Sequence, residues 1–141
     1  MTHQVHFYYG DRLRTFHAGL GIVVRALGHS INSKILFLNQ SYEWIEDIIS
    51  LEEVSVKIIS IEDLPKIQDL FLKEIKKIED TILLIANIDL IVQNHVLEMK
   101  ELLHLLIKIK EKNEIILTSE IKYTAFEEIA DYVSFISARK M

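Results

Sequence analysis

The chain has 141 residues, no cysteine and a formal net charge of −5, which suits one domain, residues 1–141, burying roughly two-thirds of its unfolded surface. The missing thiols exclude disulfides, thiolate metal sites and cysteine nucleophiles. No apolar run approaches the ~20 residues of a membrane span, and the polar start Met1-Thr2-His3-Gln4 lacks the pattern of a signal peptide, so a cytoplasmic protein with no membrane contact is expected. Charge is unevenly placed. Residues 1–34 hold Arg12, Arg14, Arg25 and Lys34 against Asp11 alone, a balance of +3, and the remainder carries −8. Four of the six histidines lie in the same segment. Such asymmetry favours a small anionic ligand near the first turn over nucleic acid bound along a whole face.

In chain order, Val5–Tyr9 reads as a strand that stops at Gly10-Asp11. A helical pattern follows over Thr15–Leu27, with Gly28 at a C′-like position. Ile35–Leu38 is a short apolar strand, Tyr42–Ile49 a short helix, and Val54–Ser60 a third strand rich in β-branched residues. Ile61-Glu62-Asp63-Leu64-Pro65 opens a helix whose Leu64, Ile67, Phe71, Ile75 and Ile78 make one apolar stripe. Thr81–Ile85 is a fourth strand, His95–Lys110 a helix, Glu114–Leu117 a fifth strand, Thr124–Ala130 a short helix and Tyr132–Ile136 the last strand. Strands so uniformly apolar, alternating with amphipathic helices, predict a three-layer α/β domain. Its sheet is mainly parallel, of about six strands, with helices on both faces and right-handed crossovers.

The junction of the first strand and first helix is where a phosphate-binding loop sits in such a fold. That chemistry needs glycines so that backbone N–H groups converge on phosphate, a lysine for its oxygens and a hydroxyl for magnesium. The candidate segment here is Gly10, Asp11, Arg12, Leu13, Arg14, Thr15, Phe16 and His17. It keeps one glycine and has no lysine. Arg12 and Arg14 could grip phosphate in a guanidinium fork, although side chains at both positions restrict backbone approach. Read without a ligand, the segment is a solvated turn with two exposed arginines. His17 sits near a helix N-terminus, where it could act as a neutral donor or acceptor, and Asp89 offers one carboxylate near the end of the fourth strand. His95 and His104 are too far apart to share a metal. No catalytic triad, metal-ligand set or other catalytic residue emerges.

With these elements placed, the chain resembles the P-loop ATP:corrinoid adenosyltransferases, which move the deoxyadenosyl group of ATP to the cobalt of a reduced corrinoid. The resemblance rests on Tyr9-Gly10-Asp11, on Ala18-Gly19-Leu20-Gly21 and Arg25-Ala26-Leu27-Gly28-His29, and on the strand Lys34-Ile35-Leu36-Phe37-Leu38. Ile116-Leu117-Thr118, Phe126-Glu127-Glu128-Ile129-Ala130-Asp131 and Tyr132-Val133 match the last αβ unit. It implies a P-loop NTPase-like fold and, in an active member, ATP with magnesium and a corrinoid. Aligned without a gap, the loop glycines fall on Arg12 and Arg14, its lysines on Leu13 and Thr15, and its hydroxyls on Phe16 and His17. The acidic pair after the fourth strand is replaced by Ala86-Asn87-Ile88-Asp89, and Thr-Gly-Arg after the fifth by Thr118-Ser119-Glu120. Loss at three separate places implies a relative that kept the fold and dropped the reaction, serving as a binding, regulatory or scaffold subunit. The alternative is a working adenosyltransferase in which Arg12 and Arg14 hold the triphosphate.

One feature concerns partners. The helix His95–Lys110 carries Leu97, Met99, Leu102, Leu103, Leu105, Leu106, Ile107 and Ile109, more than one buried stripe requires. A homodimer through this helix is the expected use of the surplus.

Overall fold

The computed structural model describes residues 3–39, 54–60 and 64–137. Six strands form one sheet: β1 (Val5–Gly10), β2 (Asn32–Asn39), β3 (Val54–Ser60), β4 (Thr81–Ala86), β5 (Glu114–Ser119) and β6 (Tyr132–Ile136). Every neighbouring pair is parallel, and the order across the sheet is β3-β2-β4-β5-β1-β6. The helices are α1 (Arg12–Gly28), α2 (Leu64–Lys76), α3 (Asp89–Gln93), α4 (Met99–Lys110) and α5 (Thr124–Ile129). The α/β class, the parallel sheet and helices on both faces all follow the sequence pattern.

The central strands show why. All six residues of β4 and all six of β5 are buried, as strands covered on two sides require. Alternation sends Leu83 and Ile85 of β4 to one core and Ile82, Leu84 and Ala86 to the other. On the second side α1 supplies Phe16, Val23 and Ala26, while on the first α2, α4 and α5 supply Phe71, Leu106 and Phe126, among others. Helix α1 lies close to the sheet. A Cβ added at Gly19 would come within 2.8 Å of Leu84 Cδ1.

Several boundaries differ from expectation, each for a local reason. Helix α1 starts at Arg12 rather than Thr15, because Arg12, Leu13 and Arg14 are good helix formers and Asp11 caps them. Helix α4 starts at Met99 rather than His95, since His95 adopts a left-handed φ of 53° that breaks the helical path. Helix α3 is five residues long and leaves no periodic signature. The expected helix Tyr42–Ile49 lies outside the described residues. On α4, Leu102, Leu106 and Ile109 are buried, Leu103 and Leu105 are half-buried against the same core, and Ile107 is 51% exposed. Among the described residues, no helix is long and apolar enough to cross a membrane.

Candidate functional site

Strands β1, β4 and β5 run side by side in the middle of the sheet, so their C-terminal ends meet at one place. In open parallel sheets this is where ligands bind. The first participant is the β1–α1 junction. Gly10 ends β1 with φ +128°, and a Cβ there would lie 2.0 Å from the carbonyl oxygen of Ile136. The one glycine of the segment is thus required by the approach of β6. A single residue, Asp11, then separates strand from helix. Its side chain accepts from Arg14 N–H at 2.9 Å, its carbonyl accepts from Thr15 N–H at 2.9 Å, and its own N–H donates to Ile136 O at 2.8 Å.

The expected loop residues are therefore the first turns of a helix. Thr15 is fully buried and its hydroxyl donates to Arg12 O at 3.0 Å, while Phe16 packs edge-on against Phe37 in the core. Leu13, Arg14 and His17 are exposed. Gly10, Asp11 and Arg12 border one cleft, whereas Thr15 and Phe16 face the core. The amides that would cradle an anion at Arg14 and Thr15 are bonded to Asp11.

Arg12 has a different employment. Its Nη2 lies 2.8 Å from Oδ2 of Asp89 and 2.9 Å from Oε2 of Glu120, its Nη1 3.5 Å from Asp89 Oδ1, and its Nε donates to Glu120 at 3.1 Å. Asp89 is 0% exposed, whereas the Arg12 side chain is 36% exposed. Burial drives the Asp89 carboxyl above the ordinary carboxylate range; the Arg12 guanidinium and the backbone amides of Asp89 and Glu120 oppose that shift without cancelling it. The rest of this end is similarly self-satisfied. Asn87, buried and at a left-handed φ of 67°, donates from Nδ2 to Leu38 O at 2.8 Å and from its backbone to Thr118 Oγ1 at 2.9 Å. Ser119 Oγ donates to Ile121 O at 2.7 Å and accepts from its N–H at 3.0 Å. A shallow cleft of about 490 Å³ remains beside Arg12 and Glu120, bounded by Gly10, Asp11 and the Ile136 end of β6.

The sequence singled out Arg12, Asp89 and Glu120 one by one but not their union. It also passed over a polar group at the other end of the sheet. There His6 stacks on Tyr132 with centroids 5.1 Å apart, and its Nε2 lies 3.5 Å from Glu114 Oε2 without a hydrogen bond. With Tyr8, Arg25 and His29 they line a groove of about 610 Å³ between α1 and β6. Burial raises the Tyr8 hydroxyl pKa, with Arg25 opposing and Glu114 reinforcing the shift. An acid at the first position of the buried β5 was the available signal.

The fold is shared with two solved NTPases. Among solved structures, the chain is similar to B204, the DNA-packaging ATPase of Sulfolobus turreted icosahedral virus. That match has a TM-score of 0.62 and 18% identity over 99% of this chain and 78% of the other. It is also similar to the genome-packaging NTPase B204 of Sulfolobus turreted icosahedral virus 2 in complex with ATPγS. There the TM-score is 0.54 and the identity 16%, over 97% of this chain and 76% of that one. No family model matches the chain, and no curated protein does.

Proposed function

We propose that this chain is a non-catalytic relative of P-loop enzymes, of the ATP:corrinoid adenosyltransferase type, that works in the cytosol as a binding or scaffold subunit and self-associates. The observation that supports this reading is that the start of α1 occupies the phosphate-loop position, with Arg12 bridging Asp89 and Glu120 across the strand ends. An anion placed there would compete with two carboxylates for one guanidinium. It would also meet amides already bonded to Asp11. The adenosyltransferase lineage rests on the sequence likeness alone, chiefly Arg25-Ala26-Leu27-Gly28-His29. The catalytic alternative requires Arg12 and Arg14 together on a triphosphate, and Arg12 is engaged elsewhere.

Calorimetric titration with ATP, with and without magnesium, is the test. Binding weaker than ~1 mM, about −4 kcal/mol, is expected. Micromolar, magnesium-dependent binding would overturn the non-catalytic reading.

A further inference from the structure

We infer that the open edge of β6 is a docking strand for the β6 of a second copy, paired antiparallel about a two-fold axis through Ser134. Among the described residues, strand β6 is the sheet's terminal strand on that side and is bonded to β1 alone. Ile136 O accepts from Asp11 N–H, which turns the backbone groups of Ile136, and by alternation those of Ser134, toward β1. The N–H and C=O groups of Val133 and Phe135 then face outward. Edge strands of soluble proteins are ordinarily guarded by lysine, proline or a bulge. From Tyr132 to Ser137 this one carries no charge and no proline, and Tyr132, Val133 and Phe135 are 51%, 42% and 64% exposed.

The sequence of the strand fits its own reverse. With Ser134 opposite Ser134, Val133 of one copy meets Phe135 of the other in hydrogen-bonded pairs, and Tyr132 meets Ile136. Every cross-strand pair is then apolar or Ser–Ser, the combinations that stabilise paired strands. Because the contact is isologous, it closes at two copies. The surface also differs from the one that helix periodicity suggested: α4 leaves Ile107 open, whereas β6 offers three exposed apolar side chains and outward-facing backbone groups.

Sedimentation of the whole chain at micromolar concentration, beside V133P and I107K, decides the matter. Val133→Pro removes an outward N–H and leaves the bonds to β1 in place. A wild-type dimer is expected, weakened at least about tenfold by V133P and unchanged by I107K. Amide exchange on the wild-type chain supplies an independent reading, in which the Val133 and Phe135 amides slow as concentration rises. A wild-type chain that stays monomeric at roughly 100 μM, dissociation by I107K with V133P still dimeric, or concentration-independent exchange at both amides would each overturn the proposal.

Discussion

At the scale of single residues, the telling feature is a carboxylate enclosed at the sheet's C-terminal end, paired with one guanidinium and bonded by the amides of Asp89 and Glu120. Removing one partner of a buried pair costs about 3–5 kcal/mol, because the other charge is left without compensation. Arg12→Met should therefore lower stability by that order at pH 8. The sign of its pH dependence follows from Asp89, whose folded pKa lies above the ordinary value. Such a group contributes most to stability at low pH and loses that contribution as pH rises through its folded pKa. Without Arg12 the folded pKa climbs further, so the variant's deficit should shrink at pH 5, as followed by urea denaturation. Adding Asp89→Asn to the variant should recover stability at pH 8 and flatten this dependence. Gly10→Ala belongs to the same scale. Its φ of +128° and the 2.0 Å approach to Ile136 O leave no space for a methyl group. A loss of about 1–3 kcal/mol is expected in thermal or urea unfolding.

At the scale of elements, three segments are tied by one aspartate. Asp131 Oδ2 accepts from Val5 N–H at 2.8 Å and pairs with Lys110 at 3.2 Å, while its own N–H donates to Val5 O at 2.8 Å. The start of β1, the end of α4 and the entry to β6 are thereby joined. The Val5 amide, and after it Lys110, hold the Asp131 carboxyl below its usual pKa. Its contribution is present above the unfolded value and lost as pH falls through the folded one. The stability gap between the wild-type chain and Asp131→Ala should be about 1–2 kcal/mol at pH 7 and close in acid; a gap constant from pH 7 to pH 3 would refute the linkage.

Elements were readable from the sequence to the extent that their burial was uniform. Strands β4 and β5 announce themselves by continuous apolar runs, and α2 by its stripe of Ile67, Phe71 and Ile75. What escaped depends on backbone conformations that side-chain pattern does not encode. Asn87 and His95, both left-handed, delimit α3 and its exit from the neighbouring helix. The start of α1 carries no apolar stripe and comes instead from the helix-forming strength of Arg12, Leu13 and Arg14 and from the Asp11 cap. The candidate site was readable as a set of losses. Its new wiring was not, since Arg12 and Asp89 are 77 residues apart and meet only once β1 and β4 lie on either side of β5.

At the scale of the whole molecule, both ends of the sheet carry a recess. At the end where open parallel sheets receive ligands, Arg12 pairs with Asp89 and Asn87 with Thr118 beside a shallow cleft. At the opposite end His6, Glu114 and Arg25 line a groove. A consequence is that supplying one phosphate-loop residue is not expected to create a binding site. Thr15 is fully enclosed between α1 and the sheet, so a lysine there would have to bury its ammonium or displace the helix. Thr15→Lys should unfold at lower denaturant than the parent and show no gain in ATP affinity by calorimetry. A folded, ATP-binding T15K would mean that the helix start yields readily.

The single-residue passage from β1 to α1 also bears on ancestry. Suppose the segment once was a glycine-rich loop. Each replacement of glycine by arginine then strengthened the helix by about 1 kcal/mol, an immediate gain whether or not a nucleotide was bound. The reverse path has no such gradient. Restoring glycine at Arg12 breaks the bridge to Asp89, restoring it at Arg14 weakens the first turn, and neither change alone recreates a cradle. Every intermediate genotype is less stable than its parent and no better at holding phosphate. On that supposition selection can walk into this state one substitution at a time and has no comparable route out, so the winding of six residues, Arg12 to His17, into a helix acts as a ratchet on the lineage.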